Sequence, residues 1–185
     1  MGKLVYTSIT SLDGYFEDAA GSFDWAEPDE ELHQVYNDLD RDTGLALYGR
    51  QLYEVMRVWD SDEFRNDESP IVREYAEIWS KQAKIVFSST LDDAPTSNTT
   101  LEPTLTADRL RELKASTSGD ISIGGGELAA EAIRAGLVDE IHQFVNPVIV
   151  GGGKRFLPDD VRLDLELITE RRFGNGVVHL GYRVR

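Results

Sequence analysis

Residues 121–128 read Ile121-Ser122-Ile123-Gly124-Gly125-Gly126-Glu127-Leu128, an apolar, β-branched run that enters three glycines and leaves directly into a helical pattern. A buried strand that feeds a helix through so short a turn belongs to an α/β sheet rather than to a hairpin. Glycines at such a junction let the backbone come close to a ligand, and the first N–H groups of the helix are placed to meet a diphosphate. The same residues also serve as a plain tight turn, so the junction alone leaves both uses open. Ala129 stands where the Gly-x-Gly-x-x-Gly fingerprint has its last glycine, and no Lys-Ser/Thr pair follows as in a P-loop. The ordinary Rossmann and NTPase readings are therefore unsupported.

Outward from this junction, apolar runs recur at Leu4 to Ile9, Leu45 to Tyr48, Ile85 to Phe87 and Ile141 to Val150, with helical patterns between most of them. The spacing predicts a helix starting at Pro28, with Leu32, Val35, Tyr36 and Leu39 on one stripe. A second begins near Ser69-Pro70 and carries Ile71, Tyr75, Ile78 and Trp79. A short helix after Thr106 uses Leu110 and Leu113, and another from Glu127 uses Leu128, Ala132 and Ile133 before Gly136. Leu163, Leu165 and Leu167 alternate with charged residues, and Val178, Leu180, Tyr182 and Val184 alternate again after Asn175-Gly176, which predicts an antiparallel hairpin with an Asn-Gly turn. Asp92 to Pro103 reads as loop with at most one short strand. The expectation is one domain over residues 1–185 with a three-layer α/β/α fold. Its sheet would be mixed and mainly parallel, end in a C-terminal antiparallel hairpin, and bind ligands at its strand ends.

The chain has 185 residues, enough to bury a core without disulfide or metal staples. It has no cysteine, which excludes thiolate metal sites and fits a cytoplasmic protein. Nineteen Lys and Arg against 34 Asp and Glu leave a formal charge of −15, which repels a phosphate backbone and anionic lipid alike. The first residues lack the order of a signal peptide, and no run approaches the roughly 18 apolar residues of a spanning helix. Nucleic acid and membrane are set aside as partners, and a small molecule is expected. An anionic cofactor would then need local devices: helix N-termini, exposed backbone N–H groups and a few arginines.

Two further junctions offer such devices. In Leu47-Tyr48-Gly49-Arg50-Gln51-Leu52-Tyr53-Glu54 a glycine ends a strand and an arginine opens a helix, where a cation opposes the helix dipole unless an anion is near. A solvated arginine is the plain alternative. Phe87-Ser88-Ser89-Thr90 places three hydroxyls past a strand end, suited to phosphate or ribose and equally to turn chemistry. His33, His142 and His179 lie far apart and read as packed or solvated side chains rather than ligands. In the acidic run Asp60, Asp62, Glu63, Asp67, Glu68, the residues Arg65 and Ile71 stand where an EF-hand loop needs glycine and glutamate, so it reads as a solvated loop. No metal site is expected.

In chain order, Thr10-Ser11-Leu12-Asp13-Gly14-Tyr15-Phe16, Gly49-Arg50, Ser88-Ser89, Gly124-Gly125-Gly126 and Pro147-Val148-Ile149-Val150-Gly151-Gly152-Gly153 resemble the motifs of the dihydrofolate reductase superfamily. The most similar branch holds the reductase domain of bifunctional riboflavin-biosynthesis enzymes, and the likeness spans nearly the whole chain. It implies an NAD(P)H-dependent reductase of a pterin, an aminopyrimidine, a related heterocycle or a carbonyl compound, and a homodimer. By that resemblance Gly49, Arg50 and Gly124 to Gly126, with Glu127 and Leu128 behind them, would hold the cofactor's phosphates. Ser88 and Ser89 would lie beside the adenosine ribose, and Ile9 and Phe16 would flank the nicotinamide. Ser11, Asp13 and Trp25 would face the substrate. Leu52 replaces the family's phosphate-binding threonine and Glu127 an arginine often found after the glycines, so NADH stays open beside the NADPH that Arg50 favours.

The family's folate reductases use a carboxylate on the first helix, beside a tryptophan, to ease protonation of the pterin. Counting from Trp25 in Trp25-Ala26-Glu27-Pro28-Asp29-Glu30-Glu31 points to Glu30. The helical stripe turns Glu30 to solvent and puts Glu31 at the edge of the buried face, where desolvation would raise its pKa. Both stand as catalytic candidates, against the alternative that these acids only complement the helix dipole. In that case a domain that binds a nucleotide without turnover, as a sensor, is the competing function.

Overall fold

Leu45, Ala46, Leu47 and Tyr48 are all buried, although successive side chains of a strand point to opposite faces, so both faces of this strand must be covered. A computed structural model, which describes residues 2–185, shows how. The elements in chain order are β1 (Leu4–Ser11), β2 (Tyr15–Asp18), α1 (Glu30–Arg41), β3 (Thr43–Gly49), α2 (Arg50–Met56), α3 (Asp62–Arg65), α4 (Pro70–Lys81), β4 (Ala83–Phe87), β5 (Thr99–Glu102), α5 (Ala107–Ser116), β6 (Asp120–Gly124), α6 (Gly126–Arg134), β7 (Glu140–Asn146), β8 (Gly153–Arg155), β9 (Leu165–Arg172) and β10 (Val178–Val184). Eight strands form one sheet in the order β5-β4-β3-β6-β1-β7-β10-β9, and β2 pairs with β8 in a separate ribbon. Neighbours from β5 to β7 are parallel, whereas β10 runs antiparallel to both β7 and β9.

Leu45 and Leu47 join Leu4, Tyr6, Ile121 and Ile123 in a core completed by Leu110 and Leu113 of α5 and Ala129, Ala132 and Ile133 of α6. Ala46 and Tyr48 turn the other way, toward Tyr53 of α2 and Tyr75 and Trp79 of α4. Leu32 of α1 packs with Phe144, Phe173 and Val177 at the hairpin end of the sheet. Each large apolar side chain buried in this way contributes ~1.5–3 kcal/mol. The alternation therefore fixes the three α/β/α layers and the mixed, mainly parallel sheet that the sequence pattern predicts.

Local departures have local causes. The first helix starts at Glu30 rather than Pro28, because Asp29 takes the cap position and accepts from the Leu32 N–H at 2.9 Å. β7 stops at Asn146, not Val150, since Pro147 has no N–H for the ladder. The hairpin turn is wider than the two-residue Asn-Gly turn expected: the Phe173 N–H donates to the Val177 carbonyl at 2.9 Å, and of its residues Gly176 alone has a left-handed φ, +91°. In the acidic run Asp62, Glu63 and Glu68 are exposed, as a solvated segment requires, but Asp60 is anchored. Asp60 ends a 3-10 helix (Arg57–Asp60) and accepts from the Ser97 N–H, the Ser97 hydroxyl and Arg65.

Candidate active site

The six parallel strands all end on one edge of the sheet, at Ser11, Gly49, Phe87, Glu102, Gly124 and Asn146, which is where open α/β sheets bind ligands. Gly49 and Gly125 come together there. A Cβ on Gly125 would lie 3.7 Å from the Gly49 nitrogen, while one on Gly49 would touch nothing nearer than Leu128 Cβ at 4.0 Å. Gly125 caps α6 with φ +97° and, having no side chain, leaves the N–H groups of its first turn without a side-chain cap. This cradle of backbone N–H groups fits a diphosphate. The other two glycines are filled by neighbours: a Cβ on Gly124 would collide with Leu52 Cδ2, and one on Gly126 with the Phe16 ring. Leu52, which stands where the resemblance places a threonine, therefore serves as packing for the glycine turn.

A cleft of about 780 Å³ opens beside the cradle, with Glu127, Leu128 and Glu131 of α6 on one wall and Phe87 and Leu105 on another. Phe16, Lys154 and Arg155 from the β2 and β8 ribbon complete it. Lys154 reaches Glu17 at 2.7 Å and Gln51 at 2.9 Å, so the ribbon is tied across to the first turn of α2. The Arg50 guanidinium is 46% exposed and among the described residues has only a loose 3.8 Å pairing with Glu54. Glu127 is exposed and has no ion-pair partner among the described residues. Ser88 uses its hydroxyl to accept from the Thr90 and Leu91 N–H groups, and Ser89 is exposed. Ile9 packs against the cluster of Leu32 and Phe144.

A smaller cleft, about 310 Å³, is lined by Trp25, Glu27, Asn146, Pro147, Val148 and Asn175. Of the residues expected to face a substrate, Trp25 lies here. Ser11 is fully buried and accepts from the Tyr15 N–H at 3.0 Å. Asp13 accepts from the Val150 and Gly151 N–H groups at 3.2 and 2.8 Å, which pins the loop after β7 to the turn after β1. Partial desolvation opposes its ionisation, but hydrogen bonds from Ser11, Gly151 and Val150 outweigh that and hold its carboxyl below the usual carboxylate range.

Glu30 and Glu31 are both exposed and line neither cleft. The desolvated Glu31 with a raised pKa is corrected here: the Arg171 guanidinium at 2.6 Å and the Gly174 N–H lower it instead. The sequence reading missed Glu27, Asn146 and Lys154 as cleft residues. A polar residue at the end of a strand, directly before a proline, was the signal for Asn146. Among the described residues no cluster of three or more His, Cys, Asp or Glu could hold a metal ion, and no helix is long and apolar enough to cross a membrane.

Comparison with known proteins places this geometry in a family. Residues 2–179 match the RibD C-terminal domain model. The uncharacterized protein YyaP of Bacillus subtilis (strain 168) is 27% identical over 184 residues, covering 97% of this chain and 94% of that one. Among solved structures, a putative riboflavin biosynthesis protein from Shewanella sp. PV-4 superposes with a TM-score of 0.78 at 19% identity over 99% of each chain. A pyrimidine reductase-like protein from Corynebacterium diphtheriae gives 0.72 at 15% identity, over all of this chain and 92% of that one. This chain spans 57% of the Thermotoga maritima diaminohydroxyphosphoribosylaminopyrimidine deaminase/5-amino-6-(5-phosphoribosylamino)uracil reductase, with a TM-score of 0.69 at 17% identity. The chain belongs to the RibD C-terminal domain family and has its dihydrofolate-reductase-like fold.

Proposed function

We propose that the chain is an NAD(P)H-dependent reductase of a small heterocycle of the pyrimidine or pterin type, with NADPH the first cofactor to test and NADH the second. The observation that carries this reading is the approach of Gly49 to Gly125 beside a helix α6 that opens without a side-chain cap, at the mouth of the larger cleft. When bound, a nicotinamide cofactor supplies a hydride. The first N–H groups of α6 and the open backbone at Gly49 would receive its diphosphate. Arg50 would add charge at the same junction, and the exposed Glu127 would oppose a further phosphate on the ribose. Phe16 and the β2 and β8 ribbon would exclude water from that side. Holding cofactor and substrate side by side would supply most of the rate. The family, and the reductase names that its structural neighbours carry, support the substrate type. The cysteine-free composition fits work in the cytoplasm.

One observation favours a second reading, a nucleotide-binding domain without turnover: the two carboxylates on the first helix line neither cleft, and Glu31 is tied to Arg171. Titration of the purified protein with NADPH and NADH separates the possibilities, read as quenching of the three tryptophans and energy transfer to the nicotinamide. Binding followed by oxidation of the cofactor with an aminopyrimidine or pterin supports the reductase. Binding with no oxidation by any of them supports the second reading. No binding of either cofactor at millimolar concentration removes both.

A further inference from the structure

Four buried side-chain polar atoms have no hydrogen-bond partner among the described residues, in Trp25, Tyr36, Gln82 and Asn146, and two of them are N–H donors of residues that line the same cleft: the indole Nε1 of Trp25 and the carboxamide Nδ2 of Asn146. A buried donor without an acceptor is costly, and folded chains keep such groups mostly where water or a ligand completes them. Topology makes the coincidence specific. Trp25 sits in the 3-10 turn Asp24–Ala26 between β2 and α1, and Asn146 is the last residue of β7, where Pro147 ends the ladder. The turn between β9 and β10 brings Asn175 to the same place, and Glu27 adds an exposed carboxyl at the rim. Asn146 is 93% buried, since only 7% of its surface is exposed, so its amide is not a solvated surface group.

We propose that Asn146, with the Trp25 indole, is a specificity-determining group that reads the acceptor edge of a flat ring bound in the smaller cleft, while Glu27 accepts from an N–H of the same ring. A one- or two-ring heterocycle suits a cleft of about 310 Å³. An indole N–H can only donate, so the ring must present a carbonyl oxygen or an unprotonated ring nitrogen to it. A ring whose oxo groups are replaced by amino groups turns donors toward donors and is rejected. The loop after β7 links this cleft to the larger one. Pro147 and Val148 line the smaller, and Lys154 and Arg155, a few residues on, line the larger. The inference rests on the reductase reading for the occupant's role as hydride acceptor, but not for its recognition.

The test is calorimetric titration of the whole chain with lumazine, a dioxopteridine, and with 2,4-diaminopteridine, for wild type, Trp25→Phe and Asn146→Asp. Trp25→Phe keeps the ring and deletes the donor, whereas Asn146→Asp replaces a donor with an acceptor. Lumazine should bind wild type more tightly than the diamino ring. Its affinity should fall about three- to tenfold in Trp25→Phe and about tenfold or more in Asn146→Asp, with the preference between the two rings narrowed or reversed in the latter. Affinity for NADPH should be unchanged in both variants, and thermal unfolding checks that each folds. Equal lumazine affinity in all three proteins, or no lumazine binding to wild type at millimolar concentration, overturns the proposal. A protein that binds lumazine with these effects but takes up neither NADPH nor NADH keeps the subsite and loses the reductase reading. Cofactor binding without lumazine binding does the reverse.

Discussion

His142 Nδ1 and His179 Nε2 lie 2.9 Å apart across β7 and β10, and the His179 ring stacks on Phe144 with centroids 4.1 Å apart. One N–H lies between the two nitrogens, so the accepting ring must be neutral and the two rings cannot both be protonated. Burial lowers both pKa values. Glu140 partly counters this at His142, while the His142 and Arg171 neighbours add to it at His179, which falls to about 4. In the unfolded chain both titrate near about 6.5. Between about pH 6.5 and about 4 the unfolded state thus holds more protons than the folded one, and stability falls as pH falls. Asp40, pushed up to about 6 by burial although Tyr75 donates to it, acts in the opposite sense between its unfolded value and about 6. Replacing His179 with Gln removes the His179 share of the first contribution and leaves the His142 share and the Asp40 contribution. Thermal unfolding from about pH 7.5 to about 4.5 should show a shallower acid loss in H179Q than in wild type. Parallel curves would mean that the pair does not govern acid sensitivity.

Gly124 and Leu52 test whether the glycine turn is set by packing. A Cβ at Gly124 collides with Leu52 Cδ2, so Gly124→Ala should cost ~1–3 kcal/mol in urea denaturation. Leu52→Ala alone leaves a gap and also destabilises, yet the double variant should be more stable than the sum of the two losses predicts. Strict additivity would locate the cost of G124A in the backbone rather than in this contact.

What the sequence disclosed follows from the range of the interactions involved. Leu45 to Tyr48 and Ile121 to Ile123 announce inner strands, because burial on both faces demands continuous apolar runs. The stripes of α1 and α4 announce helices by spacing alone. Glu31 misled because its partner Arg171 lies 140 positions away, and no local pattern encodes that ion pair. The histidine pair joins residues 37 apart, and the smaller cleft joins three separate loops. Those meetings are decided by which strand lies beside which. Pro147 is a local signal that the reading of one apolar run from Ile141 to Val150 passed over, and it sets where β7 ends.

Arg50 and Glu127 give the cofactor preference two opposed handles at one cradle. Arg50→Ala should weaken NADPH about tenfold, in the range of a lost charged hydrogen bond, and NADH less. Glu127→Gln should favour NADPH over NADH relative to wild type, since it removes a negative charge without adding bulk. Fluorescence titrations of wild type and both variants with the two cofactors give all six affinities. Equal losses for both cofactors in R50A would place the arginine at the diphosphate rather than at a ribose phosphate.

Asp13 clamps the loop after β7 through the Val150 and Gly151 N–H groups, while the Leu12 N–H independently donates to the Val148 carbonyl at 2.8 Å. Asp13→Ala removes the clamp and leaves the backbone contact. Hydrogen exchange at Val150 and Gly151 should accelerate by about tenfold in the variant, whereas amides in β1 and β7 keep wild-type protection. Because the Asp13 carboxyl is held below the usual carboxylate range, wild type should keep its protection as pH falls through that range and lose it only at still lower pH, when the carboxyl takes a proton. Pro147 and Val148 line the smaller cleft, so a loosened loop should also weaken any ring bound there without altering the cofactor cradle. If exchange at Val150 and Gly151 does not change, the Leu12 to Val148 contact suffices to hold the loop. The carboxylate of Asp13 would then be available to a ligand, in the substrate-facing role that the resemblance implies.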